Sequence, residues 1–371
     1  MKIILCFGTR PEAIKMAPLF HELCKYKFDV KICVTAQHRK MLDQVLDFFD
    51  ITPDYDLDLM QANQTLNSLS AGILMKIDAI LLNEKPDLVL VHGDTTTSAI
   101  VSLAAFHLGI KVGHVEAGLR TNNKYSPFPE ELNRQLVSRI ADIHFTPTLL
   151  ATLNLLQEGI SKNAIVQVGN TVVDALFWAL NKIEDKSYIH SEITIIKENI
   201  PLNKKMILVT GHRRESFGEG FKNLCDALLT IAERDDVVIV YPVHLNPNVK
   251  HVVYETLSNH ENIYLIDPVS YPAFVWLMKQ SSIIVTDSGG IQEEAPSLGK
   301  KVVVTREDSE RPEGIEAGFS ILVGTNKGKI VTTVNAALDN FKELTGVINP
   351  YGNGDSAQKI VSYLLQTLDK Q

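Results

Sequence analysis

Three acids stand just past the ends of short apolar runs or at the head of a helical stretch. Asp94 follows Leu88–His92 and Gly93, Glu116 follows Lys111–Val115, and Glu130 follows Ser126-Pro127-Phe128-Pro129. If the two runs are neighbouring strands, the carboxylates of Asp94 and Glu116 face one cleft, where they can serve as general acid or base. Cations occur at similar places: Arg10 and Lys15 after Lys2–Phe7, and His212, Arg213 and Arg214 after Met206–Thr210. Ser288-Gly289-Gly290, between Ile283–Thr286 and Ile291-Gln292-Glu293-Glu294, suits an anion, because glycines admit close approach and the N–H groups of a helix start point outward. Plainer roles are open to most of these residues. Asp94 can cap the helix that follows, Glu130 can face a helix dipole, His212 can satisfy a turn, and Lys15 can be solvated. Glu116 precedes Ala117-Gly118 and caps nothing evident. The functional reading rests on acids and cations converging at one sheet edge.

Several chemistries are excluded. The closest string to a GxGxxG dinucleotide fingerprint, Gly218-Glu219-Gly220-Phe221-Lys222-Asn223, lacks its last glycine, and no GxxxxGK[ST] occurs. We therefore expect no nicotinamide or other cofactor and no P-loop ATP chemistry. The 11 histidines include no HExxH and the four cysteines no CxxC, so no metal site is expected. Lys plus Arg is 36 against 44 for Asp plus Glu, a net charge of −8. Such a chain does not hold nucleic acid or an anionic membrane by diffuse attraction, so an anionic ligand must meet a local cationic site. The longest uncharged run, Leu59–Met75, carries Gln61, Asn63, Gln64 and Asn67 and reads as no membrane span. The start of the chain offers no signal-peptide core, and the cysteines read as small core residues, so a cytoplasmic protein is expected.

What positions these residues is a series of apolar runs alternating with segments of helical period. The runs are Lys2–Phe7, Val30–Thr35, Leu88–His92, Lys111–Val115, His144–Thr146 and Ile165–Val168, then Met206–Thr210, Val237–Pro242, Ile263–Leu265, Ile283–Thr286, Val302–Thr305 and Ile321–Val323. They are rich in Val and Ile and continuous rather than alternating, the pattern of parallel strands buried on both faces. With 371 residues the chain is long enough for two domains. The expectation is α/β: two doubly wound, Rossmann-like domains at 1–180 and 206–355, joined by a charged connection at 181–205, with a terminal helix at 356–371. Arg10-Pro11-Glu12 is echoed by Arg311-Pro312-Glu313, and in part by Arg213-Arg214-Glu215. Helix starts explain the Pro and Glu but not the Arg before them.

Five strings together resemble a known family: Phe7-Gly8-Thr9-Arg10-Pro11-Glu12-Ala13-Ile14-Lys15, His92-Gly93-Asp94-Thr95-Thr96-Thr97, Val115-Glu116-Ala117-Gly118-Leu119-Arg120, Thr210-Gly211-His212-Arg213-Arg214-Glu215 and Thr286-Asp287-Ser288-Gly289-Gly290-Ile291-Gln292-Glu293-Glu294. They look like the non-hydrolysing bacterial UDP-N-acetylglucosamine 2-epimerases, in the same order and over nearly the whole chain. The resemblance implies the glycosyltransferase-B architecture, with two Rossmann-like domains facing a central cleft and the terminal helix crossing back to the first. It implies interconversion of UDP-N-acetylglucosamine (UDP-GlcNAc) and UDP-N-acetylmannosamine (UDP-ManNAc), a homodimer, and supply of cell-surface polysaccharide synthesis.

It also implies roles. Asp94, Glu116 and Glu130 match the family's acids, with base and acid left unassigned among them, and His212 matches the group that contacts the diphosphate or assists its departure. Arg10 and Lys15 are then diphosphate partners, Ser288, Gly289 and Gly290 phosphate ligands, and Glu294 a ribose acceptor. Val269 and Phe274 position the uracil, and Arg311 reaches the sugar or phosphates. Some relatives bind a second UDP-GlcNAc as activator, for which Gln37, His38, Arg213 and His244 are the candidates. The rivals are a hydrolysing epimerase, a glycosyltransferase on the same scaffold, and a nucleotide-sugar sensor.

Overall fold

The computed structural model describes residues 1–35, 39–59, 64–211, 218–309, 311–340 and 348–368. The chain divides into two compact units, Met1–Ala175 with Tyr351–Gln371, and Leu176–Pro350.

The first unit holds a seven-stranded parallel sheet: β1 Lys2–Phe7, β2 Asp29–Val34, β3 Tyr55–Asp56, β4 Leu88–His92, β5 Lys111–Val115, β6 Ile143–Thr146 and β7 Ile165–Gln167. The order is β3-β2-β1-β4-β5-β6-β7. Its helices are α1 Arg10–Cys24, α2 Arg39–Phe48, α3 Leu66–Glu84, α4 Thr96–His107, α5 Glu130–Ile140 and α6 Leu149–Gln157; α7 Thr171–Glu184 leads into the second unit. The central strands β1 and β4 are apolar along almost their whole length because helices cover both faces. Chain order reverses beside β1, where β2 lies on one side and β4 on the other. At such a switch point the loops after the strands diverge and leave a crevice, so the ends of β1, β4 and β5 are where a ligand belongs.

The second unit contains α8 Ser191–Asn199, then β8 Lys205–Thr210, α9 Glu219–Ala232, β9 Val237–Pro242, α10 Pro247–Leu257, β10 Ile263–Ile266, α11 Tyr271–Gln280, β11 Ile283–Thr286, α12 Gly289–Glu294, β12 Lys301–Val304, α13 Pro312–Glu316, β13 Ser320–Leu322 and α14 Lys327–Asp339. Its six parallel strands run β10-β9-β8-β11-β12-β13, the same winding with the switch point beside β8. α15 Ser356–Leu368 belongs to the first unit and packs on α1. The Ala357 N–H donates to Asp174 at 2.8 Å.

Two features depart from the sequence expectation. The residues 181–205 are not a connection: the division falls inside α7, and α8 packs Ile193 and Ile196 into the second unit. The segment's many charges, Glu192 and Lys197 of α8 among them, make its composition read as linker. The second unit also ends earlier than 355, with the chain returning at Tyr351. There the Tyr351 carbonyl accepts the Asn170 N–H at 2.7 Å. Among the described residues α3 is the one helix long and apolar enough to cross a membrane; one side of it, Ile73, Ile77 and Leu81, is buried in the first unit's core.

Candidate active site

In the first unit the acids lie beyond β4 and β5, which are hydrogen-bonded neighbours. Glu116 is in the left-handed backbone region at φ 63°, unusual for a non-glycine and consistent with a side chain held for a purpose. Its carboxylate is ion-paired with the buried Lys15 ammonium and accepts the Asn170 side-chain N–H at 2.9 Å. The residue after β4 is Gly93, and a Cβ there would meet the Glu116 Oε1 at 3.6 Å. Glu116 therefore reaches across the end of β4.

Asp94 is not the cap of α4. Thr95 has that position, its hydroxyl accepting the Ser98 N–H, and Asp94 turns instead to Arg134, with Oδ2 2.6 Å from Nη2. Asn133 holds the Asp94 carbonyl at 2.9 Å. Glu130 opens α5, but the loop-fixing work is done by the next residue. Glu131 is fully buried and accepts the N–H groups of Thr121 and Asn122 at 3.0 and 3.2 Å. It also pairs with Arg134 at 3.1 Å. Glu130 is left with a buried Oε2 that has no hydrogen-bond partner among the described residues.

Buried groups beneath these acids are kept uncharged or tightly bonded. His92 lies 3.9 Å from the Glu116 Oε2, and burial pulls it down to about 4, so it is neutral at pH 7. Burial likewise pulls His114 to about 3 and His144 to about 4. Glu12 turns back to accept the Gly8 and Thr9 N–H groups at 3.0 and 2.8 Å and the Thr95 hydroxyl at 2.7 Å. Burial nevertheless pushes it up to about 7. It ties the turn after β1 to the turn after β4. Arg10, half-buried, is the first residue of α1.

In the second unit, Ser288 stands at the N-cap of α12 with its hydroxyl making no cap bond, and its N–H donates to the Thr286 hydroxyl at 3.0 Å. The Arg311 guanidinium lies against Gly289, where a Cβ would meet its Cζ at 3.2 Å, and Arg311 Nε donates to Glu293 at 2.9 Å. Beside Gly290 the space for a Cβ is open among the described residues. Glu294, at the end of α12, accepts the Tyr271 hydroxyl at 3.0 Å. Val269 and Phe274 lie either side of the start of α11, both half-buried. His244 is exposed after β9, its Nδ1 accepting the Asn246 N–H at 3.1 Å. His212, Arg213, Gln37 and His38 lie outside the described residues.

The sequence reading missed Arg134, Asn170 and Glu12. Arg134 stands one turn beyond Glu130, where an Arg in a helix headed by two acids is a detectable signal. Asn170 follows the last strand of its sheet and has none. Chemically, the first unit presents two carboxylates, Glu116 and Asp94, held by a cation or an amide, and a third, Glu130, with an oxygen left over, the equipment for moving protons on a carbon. The second presents small residues, backbone N–H groups and one anchored guanidinium, the equipment for binding phosphate oxygens.

A family model described as UDP-N-acetylglucosamine 2-epimerase matches residues 21–365. The UDP-N-acetylglucosamine 2-epimerase of Escherichia coli (strain K12) is 53% identical, covering 98% of each chain. The crystal structure of a UDP-GlcNAc 2-epimerase from Neisseria meningitidis, bound to UDP-GlcNAc, is 47% identical with a TM-score of 0.92 and covers 99% of this chain and 100% of that one. A sucrose-phosphate synthase from Thermosynechococcus elongatus shares the fold alone, at 11% identity and a TM-score of 0.66. The fold is thus of the glycosyltransferase-B type, and the chain belongs to the UDP-N-acetylglucosamine 2-epimerase family and is an isomerase.

Proposed function

We propose that the protein interconverts UDP-GlcNAc and UDP-ManNAc by eliminating UDP across C1–C2 and adding it back with C2 inverted. The C2 proton is not acidic, since no carbonyl adjoins that carbon in the ring. Oxidation at C3 would acidify it, but that needs a nicotinamide and the fingerprint is missing from the sequence. In elimination a carboxylate takes the C2 proton, the C1–O bond to UDP breaks, and C1=C2 forms, giving 2-acetamidoglucal. A carboxylic acid then protonates C2 from the other face as the UDP oxygen returns to C1. Protons and electrons balance without an external redox partner.

The observation that carries the reading is the arrangement of Glu116 on Lys15 and Asn170 beside Asp94 on Arg134, at adjacent strand ends. Asp94, Glu116 and Glu130 share the proton transfers, and His212 assists departure of the diphosphate. Arg10, Lys15 and Arg311 offset its charge while Ser288, Gly289 and Gly290 bind its oxygens. Glu294 holds the ribose, and Val269 and Phe274 the uracil. Incubation with UDP-GlcNAc in D2O, followed by NMR, tests this. Deuterium at C2 of both epimers and slow release of acetamidoglucal with UDP are expected. Turnover without exchange at C2 overturns the mechanism, and free N-acetylmannosamine accumulating in step with UDP overturns the non-hydrolysing assignment.

A homodimer is supported by exposed apolar residues on the layer where α4 packs between α3 and α5: Met75 and Leu82, Phe106, and Leu132 and Leu136. The exposed Met75 and Leu82 of α3 meet a second copy there, not a membrane, and sedimentation at the mass of one chain counts against it. Nucleotide sugars are made and used in the cytoplasm, where the product supplies cell-surface polysaccharide synthesis. A second UDP-GlcNAc acting through Gln37, His38, Arg213 and His244 predicts sigmoidal kinetics with UDP-ManNAc that traces of UDP-GlcNAc make hyperbolic.

A further inference from the structure

Ser270 occupies the N-cap of α11 yet does not cap it. A capping serine ordinarily turns its hydroxyl oxygen to a backbone N–H of the first turn. Here both the Ser270 N–H, at 2.9 Å, and the Ser270 hydroxyl donate to one atom, the Glu192 Oε2, from 78 residues earlier in the chain. Pro272 in the first turn removes one of the donors that such a cap would have served. His190 adds a ring nitrogen 3.4 Å from the same hydroxyl.

The anchor is rigid at its own end. Glu192 lies in the first turn of α8, whose Ile193 and Ile196 are buried. Five residues on from Glu192, the Lys197 ammonium lies 5.5 Å from the centre of the Trp276 ring in α11. Helix α8 thus meets α11 at two places between one and two turns apart on each helix, and the Glu192 carboxylate is fixed relative to the start of α11. From Ser270 the constraint runs both ways. Val269 precedes it, Phe274 closes the first helical turn on the Ser270 carbonyl at 3.0 Å, and the adjacent Tyr271 donates its hydroxyl to Glu294.

We infer that Glu192 is a positioning residue for the uridine end of the substrate, holding the turn that presents Val269 and Phe274 and, through Tyr271, the Glu294 carboxylate. This rests on the UDP-sugar reading given above. The effect of losing it is a turn free to move before ligand arrives, so affinity falls while proton transfer, carried by residues of the first unit, does not. That separates it from a stabilising contact, which would lower the melting temperature and leave both constants alone.

The test compares Glu192→Ala, Glu192→Gln and Tyr271→Phe in the full chain, measuring epimerisation kinetics and calorimetric binding of UDP and of inorganic pyrophosphate. Glu192→Ala is expected to raise KM for UDP-GlcNAc and Kd for UDP about tenfold, with kcat changed less than about twofold. Glu192→Gln, whose carbonyl still accepts both donors, should recover most of that loss. Pyrophosphate, which has no base or ribose, should bind the variant and the parent alike. Tyr271→Phe, which keeps the ring and removes one bond, should weaken UDP about threefold, and it decides the matter if Glu192→Ala fails to fold. Unchanged UDP affinity in the folded variants, or an equal loss for pyrophosphate, overturns the inference. A parent protein that neither binds UDP nor turns over UDP-GlcNAc overturns the substrate reading instead.

Discussion

The first unit gathers acids and basic residues where β4 and β5 end, and two of its acids arrive with a partner: Glu116 with Lys15, Asp94 with Arg134. The second unit, wound in the same strand order, offers Ser288, an open Gly290 and a guanidinium laid on Gly289. A shared topology supplies a crevice in both but says nothing of what the crevice does. In the first, the loops carry charges that are costly to bury and are therefore pre-paired, as suits groups that exchange protons in a fixed geometry. In the second, the loops carry little that can react, and short side chains leave room for a ligand's own charge.

If that contrast is right, lesions in the two units fail differently. Asp94→Asn and Glu116→Gln keep size and some hydrogen bonding while removing the ability to take a proton. Each should lower kcat by about 10²–10⁴-fold and leave Kd for UDP within about threefold. Steady-state epimerisation and calorimetry on the same samples check this. Near-normal rates in either would remove that acid from the proton transfers.

The contrast extends to the glycines. Gly118, after β5, has φ 90°, and a Cβ there would sit on the Ala151 backbone carbonyl, which cannot move away cheaply. Gly118→Ala should cost about 3 kcal/mol or more of stability, read as a lower urea midpoint with an unchanged m-value. A variant of unaltered midpoint would show that the close approach of α6 is not required.

How much of this was legible beforehand follows from the same physics. β1, β4, β5, β9 and β11 have the residue ranges that the apolar runs imply, because strands buried on both faces are apolar along most of their length. β3 is two residues long, Tyr55–Asp56, and leaves no run to read. α8 hides behind its charges because a helix needs only Ile193 and Ile196 to pack. At the site, Asp94, Glu116 and Lys15 were visible as residue types at strand ends, but the pairing of Asp94 with Arg134 joins residues 40 apart. No local pattern reveals such a pairing. Asn170 and Glu12 likewise act through partners the fold supplies.

Acid should separate the units too. In the first, His92, His114 and His144 are held below their ordinary value, so the stability they confer is full above pH 6.5 and is lost as pH falls toward about 4. Burial raises Glu12 to about 7 and Asp174 to about 6, and these act oppositely, favouring the fold as pH falls. Three protons against two leave a net loss of stability, of order 1 kcal/mol per pH unit, as pH falls below about 6. Both tryptophans, Trp178 and Trp276, lie in the second unit. Tryptophan fluorescence should therefore hold to lower pH than far-UV circular dichroism. Coincident transitions would show that the units unfold together and that the histidines do not single out the first.

The smallest effect is the sharpest for the second unit. Among the described residues nothing lies within 4 Å of a Cβ built on Gly290, and its φ is not in the left-handed region. Gly290→Ala therefore meets no atom of the described residues, and in a helix it gains a little propensity, so the melting temperature should hold or rise slightly. If phosphate oxygens approach the backbone there, the added methyl lies in their path and Kd for UDP should rise about three- to tenfold, a cost of order 1 kcal/mol. kcat should be little changed, since the acids are elsewhere. Because the fold has no reason to resist this substitution, any loss of affinity reports the ligand alone. A variant that binds UDP as the parent does would move the phosphates away from α12 and leave Arg311 and the turn after β8 to hold them.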